Sequence, residues 1–168
     1  MKVLVPVDLS HNCEFAVRHV VRRFMNDSTM EIHLLNVQPP FSHYVSHFAG
    51  SRKVHEYHHE ESEKALQPCR KILDGFGIPY AVHMEVGGDK AERITEMAKR
   101  LRCDEIVMGT SRKNTLTRLV ESSVTNRVLE LTSVPVEVVA GDAVSPWERY
   151  GIPAAIAALI ALVFAAID

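Results

Sequence analysis

Small and acidic residues stand where hydrophobic runs of the chain end, and residues of these types can bind a ligand. Asp8 directly follows the run Lys2–Val7, and Gly109 and Thr110 follow the run Glu105–Met108. A carboxylate at the tip of a strand can hold Mg²⁺ or a ribose hydroxyl, or it can form a turn with its own backbone. A glycine there lets backbone N–H groups approach a phosphate, or it completes an ordinary turn. Both positions are therefore candidates for a binding site, with turn formation as the alternative.

The elements that would position these residues follow from two alternating periodicities. Short hydrophobic runs predict buried strands at Lys2–Val7, Ile32–Val37, Tyr80–Val86, Glu105–Met108 and Val134–Val139. Apolar residues at helical spacing predict four helices between them, the first after Ser10 as N-cap and the others over about 52–76, 89–101 and 122–131. Asp89 and Glu92 form a D-x-x-E capping box for the third of these helices. Because Pro135 cannot donate a ladder hydrogen bond, the last strand is predicted to lie at a sheet edge.

This alternation predicts an α/β domain with a doubly wound, five-stranded parallel sheet and helices on both faces. In such sheets, ligands bind beyond the carboxyl ends of the strands, where the strand order reverses. The sequence therefore predicts that Asp8 and Gly109 lie at the functional edge of the sheet.

The charge balance and the cysteines limit the environment in which the protein acts. The chain has 19 Lys and Arg against 21 Asp and Glu, so it lacks the basic excess of a general nucleic-acid binder. Cys13, Cys69 and Cys103 are widely spaced and odd in number, which is typical of reduced thiols and not of a disulfide framework. The N-terminal sequence MKVLVPVD is too short in apolar residues for a secretory signal. We expect a cytoplasmic protein that binds no nucleic acid.

The chain changes character near its C-terminus. We divide it into a globular domain over residues 1–141, a linker over 142–150 and an apolar helix over 151–168. The segment Gly151–Ile167 has no charged and no hydrogen-bonding side chain. As a helix it would span about 25 Å, slightly less than the roughly 30 Å hydrocarbon core of a bilayer. It is preceded by Trp147, Arg149 and Tyr150. Aromatic and basic residues are typical of the membrane–water interface on the cytoplasmic side, so they favour attachment to the inner face of a membrane. Packing on another subunit or a partner protein, or a loosely ordered tail, are the alternatives.

Several segments together resemble the universal stress protein family. They are MKVLVPVDLS, HLLNVQPP, DEIVMGTS and SSVTNRVLELTSVPVEVV, and the similarity runs over about residues 1–140. The resemblance implies an adenine-nucleotide-hydrolase-like fold with strand order 3-2-1-4-5. It also implies a homodimer formed through the last strand, Val134–Val139.

In nucleotide-binding members of that family, ATP is held by a G-x2-G-x9-G-[ST] signature after the fourth strand. Here Gly109 and Ser123 match its ends, while Arg112 and Ser122 replace two glycines. A side chain where the backbone needs φ > 0 costs about 1–2 kcal/mol and can fill the space for a phosphate, although an arginine can also pair with phosphate oxygens. By resemblance, the residues of the site are Pro6, Val7, Asp8, Val37, Met108, Gly109, Thr110, Arg112, Ser122, Ser123 and Val124. The degenerate signature predicts no cofactor, with ATP and Mg²⁺ as the alternative.

Three functional hypotheses follow. The first is a dimeric regulatory module of the stress response that binds ATP weakly or not at all. The second is an ATP-binding switch of the same family with slow hydrolysis or none. The third is a metal-binding module built on the histidine pairs His43/His47 and His55/His59, for which a solvated polar surface is the simpler interpretation. Because the sequence contains no P-loop, nucleophile elbow or HExxH motif, we assign no catalytic residue and do not expect a dedicated enzyme.

Overall fold

A computed structural model describes residues 1–41, 50–110 and 123–141 of the chain. Within these ranges the elements are β1 (Lys2–Val7), α1 (Asn12–Phe24), β2 (Glu31–Gln38), α2 (Ser51–Gly75), β3 (Tyr80–Val86), α3 (Lys90–Leu101), β4 (Glu105–Thr110), α4 (Ser123–Leu131) and β5 (Val136–Ala140). The linker 142–150, the apolar segment 151–168, Arg112, Ser122 and the pair His43/His47 lie outside the described residues. The predictions made for them are therefore not addressed by the structure.

The five strands form one parallel sheet in the order β3-β2-β1-β4-β5. β1 pairs with β2 through Val3 and Ile32 and with β4 through Val3 and Glu105. The chain therefore builds the sheet outward from β1 in one direction and then returns to the other side of β1. This arrangement confirms the predicted fold and the predicted strand order, and it places the reversal between β1 and β4.

Two apolar cores lie on opposite faces of the sheet because successive side chains of a strand point to opposite sides. On one face, Val3, Val5 and Val7 of β1 pack with α1 and α2. On the other face, Leu4 and residues of β2 and β4 pack with α3 and α4. Val3, Leu4 and Val5 are completely buried. β1 thus has the continuous hydrophobic sequence expected of a central parallel strand.

The edge strand β5 differs slightly from its prediction. It begins at Val136 and not at Val134, because the Val134 N–H donates to Thr132 Oγ1 at 3.0 Å in the preceding turn. The carbonyl of Pro135 still accepts a hydrogen bond from Ile106 N at 2.9 Å, just before the strand starts. The prediction that this strand lies at an edge of the sheet is confirmed.

A charged cluster joins α1 to the two strands of that edge. Arg23 Nη1 lies 2.7 Å from Glu105 Oε2 and 2.6 Å from Glu137 Oε2. These three side chains are partly buried, and the two carboxylates hold the pKa of Arg23 above its usual value even though desolvation opposes them. The last turns of α1 are thereby connected to both β4 and β5.

Two helix caps were predicted, and the structure supports one of them. Asp89 Oδ1 accepts hydrogen bonds from Ala91 N at 2.9 Å and Glu92 N at 3.3 Å, so Asp89 caps α3 as expected. Ser10 is not the N-cap of α1, because the helix begins two residues later at Asn12. Its N–H and its hydroxyl both donate to Asp8 Oδ1, which forms a local turn in place of the cap.

Candidate functional site

A cavity of about 140 Å³ opens at the carboxyl ends of β1 and β4, where the strand order reverses. Eight of the residues proposed for the site line it: Pro6, Val7, Asp8, Val37, Met108, Gly109, Thr110 and Val124. Ser123 is the first residue of α4, and the two replaced glycine positions, Arg112 and Ser122, lie outside the described residues. The fold therefore brings residues from four separate segments to one concave site, at the place where open parallel sheets bind their ligands.

One wall of the cavity is apolar and almost fully buried. Val37 and Met108 come from the two strands that flank β1, and Leu35 and Ile94 complete the wall from β2 and α3. These four belong to the same core and are each at most 7% exposed. Such a surface can cover the face of a planar apolar group such as a heterocyclic base.

The polar rim of the cavity is formed by the turn that follows β1. Asp8 is exposed, and its Oδ1 accepts from Ser10 N at 2.9 Å and from Ser10 Oγ at 2.5 Å. Both bonds use the same carboxylate oxygen. In the described ranges 1–41, 50–110 and 123–141, no hydrogen bond involves Oδ2. Asp8 is thus a turn aspartate that retains an acceptor for a hydroxyl group. Its interpretation as a turn residue and its interpretation as a ligand-binding residue are therefore compatible.

A buried amide holds the end of β1 in place. Asn36 is 2% exposed, and its Nδ2 donates to the carbonyl oxygen of Val7 at 2.8 Å. Its Oδ1 accepts from Gln38 Nε2 at 2.8 Å and from Ser62 Oγ at 2.9 Å. Because a buried amide is costly unless it is hydrogen-bonded, this network fixes the backbone of β1 next to Asp8. Asn36 positions the site without lining the cavity.

Gly109 is required for a reason that the sequence did not indicate. A Cβ added to it would lie 1.8 Å from the carbonyl oxygen of Asn12 and 2.4 Å from its carbonyl carbon. The end of β4 and the first turn of α1 therefore touch backbone to backbone. The predicted roles of Gly109 were a turn or the approach of a phosphate, and close packing of a strand against a helix is the role that the structure demonstrates.

Lys90 is a lining residue that was missed at the sequence level. It is the first residue of α3, and it is the only cationic side chain among the described residues that line the cavity. Its neighbour Asp89 is engaged by Arg127, whose Nε lies 2.5 Å from Asp89 Oδ2, and this hydrogen bond holds the pKa of Asp89 below its usual value. A cation beside a helix N-terminus can attract an anionic group. Only the fold brings Lys90 and Asp8 to the same cavity, since 82 positions separate them in the sequence.

The histidines do not form a metal site in the described part of the chain. His55 and His59 are exposed on α2, whereas His58 between them is buried. Over residues 1–41, 50–110 and 123–141, no three His, Cys, Asp or Glu side chains are grouped to hold a metal ion. The same ranges contain no helix with the length and hydropathy needed to span a bilayer.

The fold and the position of the cavity define a doubly wound α/β domain with a cavity at its topological switch point. The model of the universal stress protein family matches residues 1–140. The chain belongs to the universal stress protein family.

Individual relatives share most of their length with this chain. Universal stress protein MJ0531 of Methanocaldococcus jannaschii is 31% identical over 144 residues, which cover 82% of this chain and 81% of the relative. The structure of hypothetical protein MJ0577 from the same organism superposes with a TM-score of 0.67 at 26% identity, covering 85% of this chain and 97% of that one. A universal stress protein family protein of Arabidopsis thaliana, solved with AMP bound, has a TM-score of 0.59 at 20% identity, with 85% and 93% covered.

Proposed function

We propose that this chain is a regulatory module that binds an adenine mononucleotide in the cavity between β1 and β4. The observation that carries this proposal is the convergence of an apolar wall and a carboxylate rim in one cavity. The apolar wall around Val37 and Met108 covers the base, and Asp8 accepts hydrogen bonds from the ribose. Lys90 pairs with the phosphate. The bound AMP of the Arabidopsis thaliana relative supports the choice of ligand class.

The degenerate signature favours a monophosphate over a triphosphate as the ligand. The sequence places Arg112 and Ser122 at two glycine positions of the ATP-binding signature. In the family signature these glycines let the loop wrap the phosphates, and a side chain where the backbone needs φ > 0 costs about 1–2 kcal/mol. We therefore assign weak ATP binding, and no hydrolysis beyond a slow background rate, to this domain.

Calorimetric titration of the full chain with AMP and with ATP, each with and without Mg²⁺, tests the proposal. AMP is expected to bind with micromolar affinity and ATP about tenfold more weakly, which corresponds to about 1.4 kcal/mol. GMP serves as the control for recognition of the base. A protein that binds neither adenine nucleotide would contradict the proposal and favour a ligand-free adaptor.

The double variant Arg112→Gly/Ser122→Gly tests the role of the signature separately. Restoring both glycines should strengthen ATP binding by about tenfold or more, while AMP binding stays the same. If the wild-type chain already binds ATP as tightly as AMP, the alternative of an ATP-binding switch is correct.

We also propose that the regulatory unit is a homodimer formed through β5. This strand lies at an edge of the sheet, and Val138 on it is 43% exposed. An exposed apolar edge strand can pair with a second copy of itself. Light scattering should give the mass of a dimer for the wild-type chain and of a monomer for Val138→Lys. A wild-type monomer would remove this part of the proposal and leave the binding site unaffected.

A further inference from the structure

Two buried thiols meet directly behind the candidate site. Cys13 lies in the first turn of α1 and is 4% exposed, while Cys69 lies on α2 and is completely buried. Their Sγ atoms are 3.5 Å apart, although the residues are separated by 56 positions in the sequence. Sulfur atoms of a disulfide are about 2.0 Å apart, so the two atoms need to approach by only about 1.5 Å to form a bond.

The hydrogen bonds give the two thiols different chemistry. Cys69 Sγ donates to Cys13 Sγ, and Cys13 Sγ is 3.0 Å from the carbonyl oxygen of Ser10. The bond from Cys69 lowers the pKa of Cys13, against the opposing effect of burial. The same bond and burial raise the pKa of Cys69. Since a thiolate is the nucleophile in thiol oxidation, this difference favours Cys13 as the first of the two thiols to react.

The candidate cavity gives a small oxidant a route to the first of these thiols. Cys13 lines the cavity together with Ser10 and Asp8, whereas Cys69 does not. A volume of about 140 Å³ accommodates a molecule the size of hydrogen peroxide. Cys103, the third free cysteine, belongs to the core on the opposite face of the sheet and does not line the cavity.

We propose that Cys13 and Cys69 are a peroxide-reactive pair that forms a reversible intramolecular disulfide. The Cys13 thiolate attacks one oxygen of hydrogen peroxide, the O–O bond breaks, and hydroxide leaves and takes up a proton to form water. Cys13 is then a sulfenic acid. The Cys69 sulfur attacks the Cys13 sulfur, the S–O bond breaks, and a second water leaves with the proton of Cys69. Two thiols are oxidised by two electrons, and one peroxide is reduced to two water molecules.

The bond would act on the site through α1. It joins the first turn of this helix to α2, and the same turn is in backbone contact with Gly109 at the end of β4. Drawing Cys13 toward α2 therefore changes the wall of the cavity that Asn12 and Cys13 form. The modification site and the candidate binding site share one structural element.

Intact mass spectrometry of the full chain after treatment with hydrogen peroxide tests the proposal. The expected product has lost two hydrogen atoms, titrates one thiol under denaturing conditions where the reduced chain titrates three, and returns to the starting mass with dithiothreitol. Peptide mapping should join Cys13 to Cys69 within one chain. Three remaining thiols, or a bond that includes Cys103 or a second chain, would overturn the proposal.

Single variants test the order of the two steps. Cys69→Ser should accumulate a sulfenic acid at Cys13 that a dimedone probe traps, and Cys13→Ser should give no trapped product at Cys69. The control Cys103→Ser should form the disulfide at the wild-type rate. Circular dichroism confirms that each variant is folded before oxidation. Trapping at Cys69 in the Cys13→Ser variant would contradict the assignment of Cys13 as the attacking residue.

Discussion

The carbonyl oxygen of Asn12 occupies the space into which a side chain at Gly109 would project, 1.8 Å from the position of its Cβ. One contact therefore sets the distance between the end of β4 and the start of α1, and both elements line the candidate site. The positions of the binding residues thus depend on a residue that has no side chain.

Replacing Gly109 with alanine is expected to destabilise the domain. The new methyl group overlaps backbone atoms, which cannot rotate away as a side chain can, so we expect a loss of about 1–3 kcal/mol in the free energy of unfolding. Urea denaturation measures this loss of stability. Gly88→Ala is the matched control, because a Cβ there meets nothing within 4 Å. Equal stability of the two variants would show that the contact is not tight.

Asn36→Ala should weaken both stability and ligand binding. The change leaves the carbonyl of Val7 and the side chains of Gln38 and Ser62 without their buried partner, which costs about 1–3 kcal/mol. Chemical denaturation and AMP titration measure the two effects. The control is Asn26→Ala, whose exposed amide bonds only to the carbonyl of Arg22 and should change stability by about 0.5 kcal/mol or less.

Lys90→Ala should lower the affinity for AMP by about tenfold, as expected for the loss of one charge-assisted bond to phosphate. Adenosine, which lacks the phosphate, should bind both proteins equally. Lys99→Ala removes an exposed charge from the same helix and provides the control. An equal loss for adenosine would show that Lys90 supports the structure and does not contact the phosphate.

Stability should fall when the pH is lowered through about 6.5, the usual pKa of histidine. His33 and His83 stack on neighbouring strands with His33 Nδ1 and His83 Nε2 3.0 Å apart, and burial lowers the pKa of each, with Lys2 and Arg100 adding to the effect. Because the folded state then binds protons less readily than the unfolded state, the neutral pair stabilises the fold above that pH and the stabilisation is lost below it.

Unfolding measured at several pH values between about 5 and 8 tests this dependence. The variant His83→Gln keeps a polar side chain of similar reach and should flatten the curve. His59→Gln changes an exposed histidine and should leave the curve as in the wild type. A curve that is unaltered in His83→Gln would assign the acid sensitivity to other groups.

Deleting residues 146–168 should leave the domain folded and move it from the membrane fraction to the soluble fraction. The reason is the apolar composition of Gly151–Ile167, which needs a bilayer or a protein surface to cover it. Fractionation of cell extracts and circular dichroism of the truncated chain are the measurements. Unfolding of the truncated domain would show that the segment belongs to its core, and a wild-type chain already in the soluble fraction would favour packing on another subunit.

The sequence was sufficient to predict the fold because its signals are local. The continuous run of β1 and the cap at Asp89 both follow from neighbouring residues. The prediction that Ser10 caps α1 was wrong. Two local arrangements compete at this residue, capping the helix and donating to Asp8, and the structure shows the second, since the Ser10 N–H and hydroxyl both donate to the Asp8 carboxylate. The second helix was predicted to extend to residue 76, but α2 ends at Gly75, and Phe76 just after it is 58% exposed.

Parts of the site were not predictable, since they depend on contacts between distant segments. Lys90 reaches the cavity only because the fold brings the start of α3 to the cavity that the ends of β1 and β4 line, and the spacing of charges in the sequence does not indicate this. The approach of Cys13 to Cys69 needs two helices packed on the same face of the sheet. Wide spacing predicted free thiols, but it says nothing about which thiols are neighbours.

The cluster of Arg23 with Glu105 and Glu137 has a consequence for communication across the domain. α1 is 13 residues long, which makes it a rod of about 20 Å. One end of this rod borders the cavity, and the other is fastened by charge to the outermost strand. We therefore expect a ligand or an oxidant that shifts the near end to affect the far end as well, so that occupancy of the cavity and the proposed self-association through β5 each alter the affinity of the other.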